Sequence, residues 1–246
     1  MYTDIYKQWS DFLDVDRIAL LGGEPLLHPK LHEIILDVRS WWPNSEIEIT
    51  SNGLLVDRIK PTLQQSIIDN SITLYISIHN ESWVEKIKNS IVKKFGKLTL
   101  LESQRTQPSG GHDVFNSESG NKVVFEYTYY FRPSALQPNK DNKLELHNSD
   151  PQMAHEVCDM KMSFHFWKGC LYKCGVMVTL PYMIKQKSSL LHISDGQLNL
   201  LNQYQPVTLD EIKNTPRAVD KLFDYIPQCE FCPSNYDGKQ RKIFTE

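Results

Sequence analysis

The chain has 246 residues, 40% of them hydrophobic and 23% charged. That is the composition of a soluble globular protein with one large domain, or one large and one small, and it excludes overall disorder. With 27 basic residues against 30 acidic and a net charge of −3, no global field draws the chain to nucleic acid or to an anionic membrane.

The first residues, Met1 to Lys7, lack the basic start and apolar core of a signal peptide, and no run of about 18 apolar residues occurs. A cytoplasmic protein is therefore expected. Thr3 to Phe12 carries Ile5, Trp9, Phe12 and Leu13 at helical spacing, with Asp4 in the first turn; this predicts a helix packed on the strand that follows. Ile18 to Leu21 has the apolarity of a strand covered on both faces. It stops at Gly22-Gly23-Glu24-Pro25. The glycines let a ligand approach the main chain. Glu24 sets a negative charge at the carboxyl end of the strand, where α/β sheets bind ligands, and Pro25 ends the ladder. A helix starts at Pro29, with Leu31, Ile34, Ile35 and Val38 in one stripe. His28 and His32 beside that start read as caps or surface residues.

Glu46 to Thr50 alternates as a second strand and runs into Ser51-Asn52-Gly53, where hydroxyl and amide groups face a ligand or the neighbouring loop. A helix over Val56 to Asp69 and a strand over Ile72 to Ile78 follow, the latter ending at Ser77 and, less tellingly, His79. A helix over Ser82 to Phe95 and a strand over Lys97 to Leu101 continue what reads as a series of βα repeats with right-handed crossovers. Glu102 to Lys122 is rich in Ser, Gly and Asn and predicts a long loop, either a substrate lid or a solvated insertion. Val123 to Phe131 predicts a strand. Gln137 to Asp150 is charged and asparagine-rich and reads as a linker.

Five cysteines with no export signal point to metal binding or reactive thiols, not to a disulfide framework. Cys158 is followed by ten residues, Gly169, four residues and Cys174, and much later by Cys229 and Cys232. Four thiolates gathered from two separated segments suit zinc or an iron-sulfur cluster, with His155 or His165 as substitute ligands. Cys170 falls outside the set. Thr208 to Tyr225 predicts one or two helices that return the chain to the cage.

The tetrad Gly22-Gly23-Glu24-Pro25, followed one βα unit later by Ser51-Asn52-Gly53, resembles the radical S-adenosylmethionine (radical SAM) superfamily. The arrangement of Cys158, Cys174, Cys229 and Cys232 resembles that superfamily's auxiliary-cluster modules, known as SPASM and, in the one-cluster form that fits better here, twitch. The resemblance implies an incomplete (β/α)6-type α/β barrel over residues 1–135, a linker over 136–157 and a small cysteine-rich α+β module over 158–246. Within the module, Gly169 to Gly175 is expected as a β-hairpin and Val176 to Leu180 as a strand.

By the same resemblance, Gly22, Gly23, Glu24 and Pro25 receive the methionine end of SAM, with Ser51, Asn52 and Ser77 near its amino acid and ribose. Cys158, Cys174, Cys229 and Cys232 hold an auxiliary four-iron four-sulfur cluster, with zinc as the alternative metal. SAM is then the small-molecule partner, a peptide or protein is the implied substrate class, and neither membrane nor nucleic acid is a partner. The family's hallmark C-x3-C-x2-C, which binds the cluster that reduces SAM, is absent from the sequence. The sequence reads as starting inside the helix that follows that motif. Truncation of a complete enzyme, inactive alone, is expected; a degenerate metal-binding protein acting through a partner is the alternative.

Overall fold

A computed structural model describes residues 3–106, 110–127, 130–131, 135–141, 143–234 and 241–242. In chain order the first elements are α1 (Thr3–Trp9), β1 (Arg17–Leu20), α2 (Leu31–Trp41), β2 (Glu46–Ser51), α3 (Pro61–Asp69), β3 (Thr73–Ile78) and α4 (Val84–Phe95). Four strands follow: β4 (Leu98–Thr106), β5 (Gly110–Ser117), β6 (Lys122–Tyr127) and the short β7 (Tyr130–Phe131). The remainder carries β8 (Leu136–Pro138), β9 (Leu144–Leu146), α5 (Pro151–Glu156), β10 (His165–Trp167), β11 (Cys170–Tyr172), α6 (Gly175–Lys187), β12 (Leu191–His192), α7 (Asp195–Asn202) and α8 (Leu209–Asn214). The chain divides into two compact units, Asp14–Phe131 and Met1–Leu13 with Arg132–Arg241.

The first unit is α/β, built on a mixed six-stranded sheet of order β1-β2-β3-β6-β5-β4. β1, β2, β3 and β6 run parallel, and β5 is antiparallel to both β6 and β4. Period-2 alternation decides which face is apolar. Ile47 and Ile49, Leu74, Ile76 and Ile78, and Val123 and Phe125 lie on one face, and all are essentially inaccessible. Burying each such side chain contributes about 1.5–3 kcal/mol. The opposite face carries Arg17, Glu48, Thr73, Tyr75, Ser77 and Glu126, so β2 and β3 are polar on alternate residues.

Three expectations change in this unit. The strand after α4 is β4, which pairs with β5 at the far edge; β6 takes the place beside β3. The stretch expected as a loop from Glu102 to Lys122 is mostly the β4–β5 hairpin, with 107–109 outside the described residues. Its polar residues pair across the strands: Ser103 Oγ and Arg105 Nη2 reach Asp113 at 2.7 and 2.6 Å. Gly111, at φ 103°, lies so close to the Gln104 carbonyl that a Cβ would stand 1.9 Å from it, a backbone approach only glycine permits. Of the strand expected to run to Phe131, β6 lies in this sheet and β7 does not, and 128–129 lie outside the described residues.

The second unit includes α1, the helix expected to pack on the strand that follows it. It belongs with the cysteine segment, where buried Trp9 donates its indole Nε1–H to the Gly169 carbonyl at 3.0 Å. Tyr6 and Trp9 both meet Phe166 edge to face, at 5.6 and 5.3 Å between ring centroids, and aromatic partners of that kind outweigh sequence proximity. β10 and β11 form a hairpin over His165–Tyr172, so the segment expected as a hairpin, Gly169 to Gly175, supplies only a turn residue and the second strand. The two turn residues of the hairpin, Lys168 and Gly169, have φ of 50° and 81°, the signature of a type I′ turn.

Val176 to Leu180, expected as a strand, is the interior of α6. The apolar run is ambiguous by itself, and helical spacing puts Met177, Leu180 and Ile184 together in a core with Ala135, Leu146, Leu201 and Phe231. Residues 136–157, expected as a linker, carry β8, β9 and α5. Asp150 caps α5 by accepting the Met153 N–H at 2.8 Å.

Candidate functional site

The three parallel strands β1, β2 and β3 end on the same side of the sheet, and their loops bring part of the expected SAM site together. Glu24 lies in extended conformation at the start of a one-turn 3-10 helix, Pro25–Leu27, and Pro25 is buried. The Glu24 carboxylate accepts the Leu26 N–H at 3.1 Å and the Ser51 hydroxyl at 2.8 Å on Oε1, and the Asn52 N–H at 3.1 Å on Oε2. Ser51 Oγ in turn accepts the Gly53 N–H at 3.0 Å, and Asn52 Oδ1 accepts the Leu54 N–H at 2.9 Å.

A carboxylate offers about four acceptor positions, so the network uses three and leaves one on Oε2 for a further donor. Gly22 and Gly23 are exposed, and nothing lies within 4 Å of where a Cβ would stand on either. Gly53, at φ 77°, is packed so tightly that a Cβ would stand 2.8 Å from Ile76 and from Ile87. Ser77 is partly buried at the end of β3, level with Glu126 on β6, outside the Glu24 network. His28 Nδ1 accepts the Lys30 N–H at 3.3 Å, a local turn role.

Beneath these loops the polar face of the sheet carries Glu48 at 4.0 Å from Arg17, and Tyr75, whose hydroxyl donates to Glu126 at 3.0 Å. Burial pushes the Glu48 carboxyl up, against the pull of Arg17. Burial and the neighbouring Glu126 carboxylate push the Tyr75 phenol up. Sequence reading passed over these groups because each is a single polar residue inside a strand; the strand register is the signal that lines them up.

A second polar cluster, also passed over, lies on the other face of the same sheet. Asp113 accepts from Arg105, Ser103 and Tyr127, whose hydroxyl is at 2.7 Å. Burial raises its carboxyl, but those hydrogen bonds prevail and bring it to about 2. Arg105 also lies 4.0 Å above the Tyr127 ring.

The four expected ligand cysteines come from three segments of the second unit. Cys158 follows α5, Cys174 immediately precedes α6, and Cys229 and Cys232 lie on the 3-10 turn Pro227–Phe231 and its cap. None is disulfide-bonded. Burial pushes the Cys174, Cys229 and Cys232 thiols up, Cys232 to about 12, and each is raised further by charge on others of the four. The backbone N–H groups of Val176 and Met177, in the first turn of α6, partly offset this at Cys174.

The expected ligands Cys158, Cys174, Cys229 and Cys232 thus share one electrostatic neighbourhood. Among the described residues, no three His, Cys, Asp or Glu side chains are arranged as a ready-made metal shell. Cys174, Cys229 and Cys232, whose burial and neighbouring cysteine charge disfavour the ionised form, become thiolates only with a compensating cation. Cys170 pairs with Trp167 on the hairpin, and its thiol is raised by burial. Burial pushes the His165 imidazole down, and its ring lies 3.1 Å from the place a Cβ would take on Gly175.

Lys173, which sequence reading also missed, is 2% exposed. Its ammonium donates to His155 Nε2 at 3.1 Å, to the Lys161 carbonyl at 3.2 Å and to the Leu222 carbonyl. Burial pushes the Lys173 ammonium down, against the pull of the neighbouring cysteines. Burial and the adjacent Lys173 charge push the His155 imidazole down.

Among the described residues, no helix is long and apolar enough to cross a membrane. No known protein-family description matches the chain. It is similar to GTP 3',8-cyclase of Microcystis aeruginosa, 40% identical over 50 residues, which is 20% of this chain and 15% of that protein. It is similar also to molybdenum cofactor biosynthesis protein 1 of Bos taurus, 40% identical over 52 residues, 21% of this chain and 8% of that protein. The matched stretch is thus a small fraction of either relative. These partial likenesses support the resemblance to the radical SAM superfamily.

Proposed function

We propose that this chain is a SAM-binding protein of the radical SAM type, with a second, thiolate-held metal centre in its cysteine unit. The observation that carries the first part is the Glu24 network. A carboxylate at the carboxyl ends of parallel strands is oriented by Ser51 and Asn52 and keeps one acceptor position beside the unobstructed backbone of Gly22 and Gly23. A ligand ammonium fits there, because a charge-assisted bond to an oriented carboxylate is strong and directional. Ser77, on the adjoining strand end, is the residue we assign to the ribose. The metal-binding part rests on Cys158, Cys174, Cys229 and Cys232, and a four-iron four-sulfur cluster there supplies one-electron chemistry when bound.

Reductive cleavage of SAM to a 5'-deoxyadenosyl radical is not assigned to these 246 residues, since they contain no C-x3-C-x2-C. A peptide or protein substrate rests on the resemblance alone. The test is equilibrium dialysis of SAM with anaerobically purified protein: saturable binding lost in Glu24→Ala supports the reading, and no binding overturns it. The missing motif also favours a second reading, stoichiometric zinc in the cysteine cage with no SAM chemistry. Iron with inorganic sulfide supports the first reading, and one zinc per chain without SAM binding the second.

A further inference from the structure

The polar face of the six-stranded sheet carries a row of side chains with hydrogen bonds still to make. In the strand register Ser77 on β3 stands opposite Glu126 on β6, and Glu126 stands opposite His112 on β5. All three are partly buried. Strands are spaced about 5 Å apart, so Glu126 lies one strand and His112 two strands beyond Ser77, on the side away from β1 and β2 and their Glu24 network. Among the described residues, neither the Ser77 hydroxyl nor the His112 ring makes a hydrogen bond. The Glu126 carboxylate accepts from the Tyr75 hydroxyl at 3.0 Å, which orients one oxygen and leaves about three acceptor positions.

The next row toward the amino end of β6 is apolar. Tyr75, Val124 and Val114 stand opposite one another on the same face, and Val124 is buried. A hydrogen-bonding row thus runs beside an aromatic ring and two aliphatic side chains. That combination suits a ligand with hydroxyls on its rim and carbon-bound hydrogens on its face, because small-molecule sites join an apolar wall to a few placed polar groups. The row of Ser77, Glu126 and His112 holds one carboxylate and neither lysine nor arginine, so it does not suit a phosphate or carboxylate guest. It lies at the carboxyl ends of β3 and β6, where sheets of this kind bind ligands.

We propose that Glu126 and His112 form a subsite for the hydroxyls of a neutral, sugar-like substrate, bound beside SAM with its ring against Tyr75, Val124 and Val114. Calling this guest a substrate rests on the SAM reading above; the subsite itself does not. Two neighbouring hydroxyls donate to the Glu126 carboxylate, and the His112 ring exchanges one further hydrogen bond. Such hydroxyls reproduce the bonds that water makes to polar side chains, so they replace it with little enthalpic loss. Ser77, assigned above to the ribose, marks the border between the two ligands.

The test uses the full chain with and without saturating SAM, with methyl β-D-ribofuranoside and methyl β-D-glucopyranoside as probes and saturation-transfer NMR as the readout. The expected result is saturable binding of at least one glycoside. Binding is at least about tenfold weaker in Glu126→Gln, which loses a charged acceptor, and about threefold or more weaker in His112→Ala, which loses a neutral partner. SAM affinity by equilibrium dialysis is unchanged in both variants. The His112 ring makes no hydrogen bond to the described residues, so His112→Ala keeps the fold and decides the outcome if circular dichroism shows Glu126→Gln unfolded. The absence of saturable binding by either glycoside overturns the proposal, as does equal binding in native protein and the folded variants, or displacement of the glycoside by SAM. Glycoside binding that depends on Glu126 and His112, in protein that binds no SAM, supports the subsite and overturns the SAM reading instead.

Discussion

Glu24 Oε1 accepts the Ser51 hydroxyl at 2.8 Å across 27 positions of sequence, so the carboxylate that ends the first parallel strand's loop is locked to the loop of the next. Removing the charge while keeping the shape tests what that lock does. Glu24→Gln is expected to cost about 1–2 kcal/mol of stability, since the Asn52 and Leu26 N–H groups lose charge-assisted acceptors. It is also expected to weaken SAM binding by at least about tenfold. Urea denaturation and equilibrium dialysis measure the two effects.

Gly53 closes the same site from below. Gly53→Ala places a Cβ 2.8 Å from Ile76 and Ile87 at φ 77°, combining strain with a clash in the core. We expect a loss of about 1–3 kcal/mol, read as a lower urea midpoint with an unchanged slope.

Acid stability is expected to depend on Asp113. Its carboxyl lies at about 2 in the folded protein against an ordinary 3.8, so the folded state binds its proton less readily than the unfolded chain. The stabilisation is therefore fully present above pH 4 and lost as the pH falls from about 4 through 2. It amounts to about 2 kcal/mol for a side chain only 6% exposed. Urea midpoints across that range should fall in native protein, and Asp113→Asn should remove this component of the slope.

Metal content separates the cysteines. Cys174→Ser, Cys229→Ser and Cys232→Ser are each expected to reduce bound metal per chain several-fold. Cys170→Ser, which alters the hairpin position opposite Trp167, is expected to leave it unchanged. Elemental analysis of anaerobically purified variants decides this.

The sequence disclosed the parallel βα part of the fold because β1, β2 and β3 end in residues with chemical meaning and α2 and α4 carry apolar stripes. It misled where a pattern has two physical readings. Polar Ser103, Arg105 and Asp113 read as loop because their value lies in cross-strand hydrogen bonds that no local pattern shows. The run Val176 to Leu180 is equally apolar as strand or helix, and only the core around Phe231 chooses. In the Glu24 site the residue types were legible, but the direction of Ser51 and Asn52 toward Glu24 was not. Lys173 had no sequence signal beyond its place beside Cys174, because a buried lysine looks like any other until its three acceptors are assembled.

The seating of Trp9 against Gly169 has a consequence for how the protein is made. The indole's partner is 160 residues downstream, and Asp14–Phe131 forms its own compact unit in between. At a synthesis rate of about 5–20 residues per second, α1 leaves the ribosome roughly 8–30 s before the hairpin it pairs with. During that interval Tyr6 and Trp9 are apolar surface without a cover, while the α/β unit behind them finishes folding. The turns of α1 are thus among the last parts of their unit to be enclosed, and Trp9 stays open to aggregation or chaperone capture until Gly169 has been made.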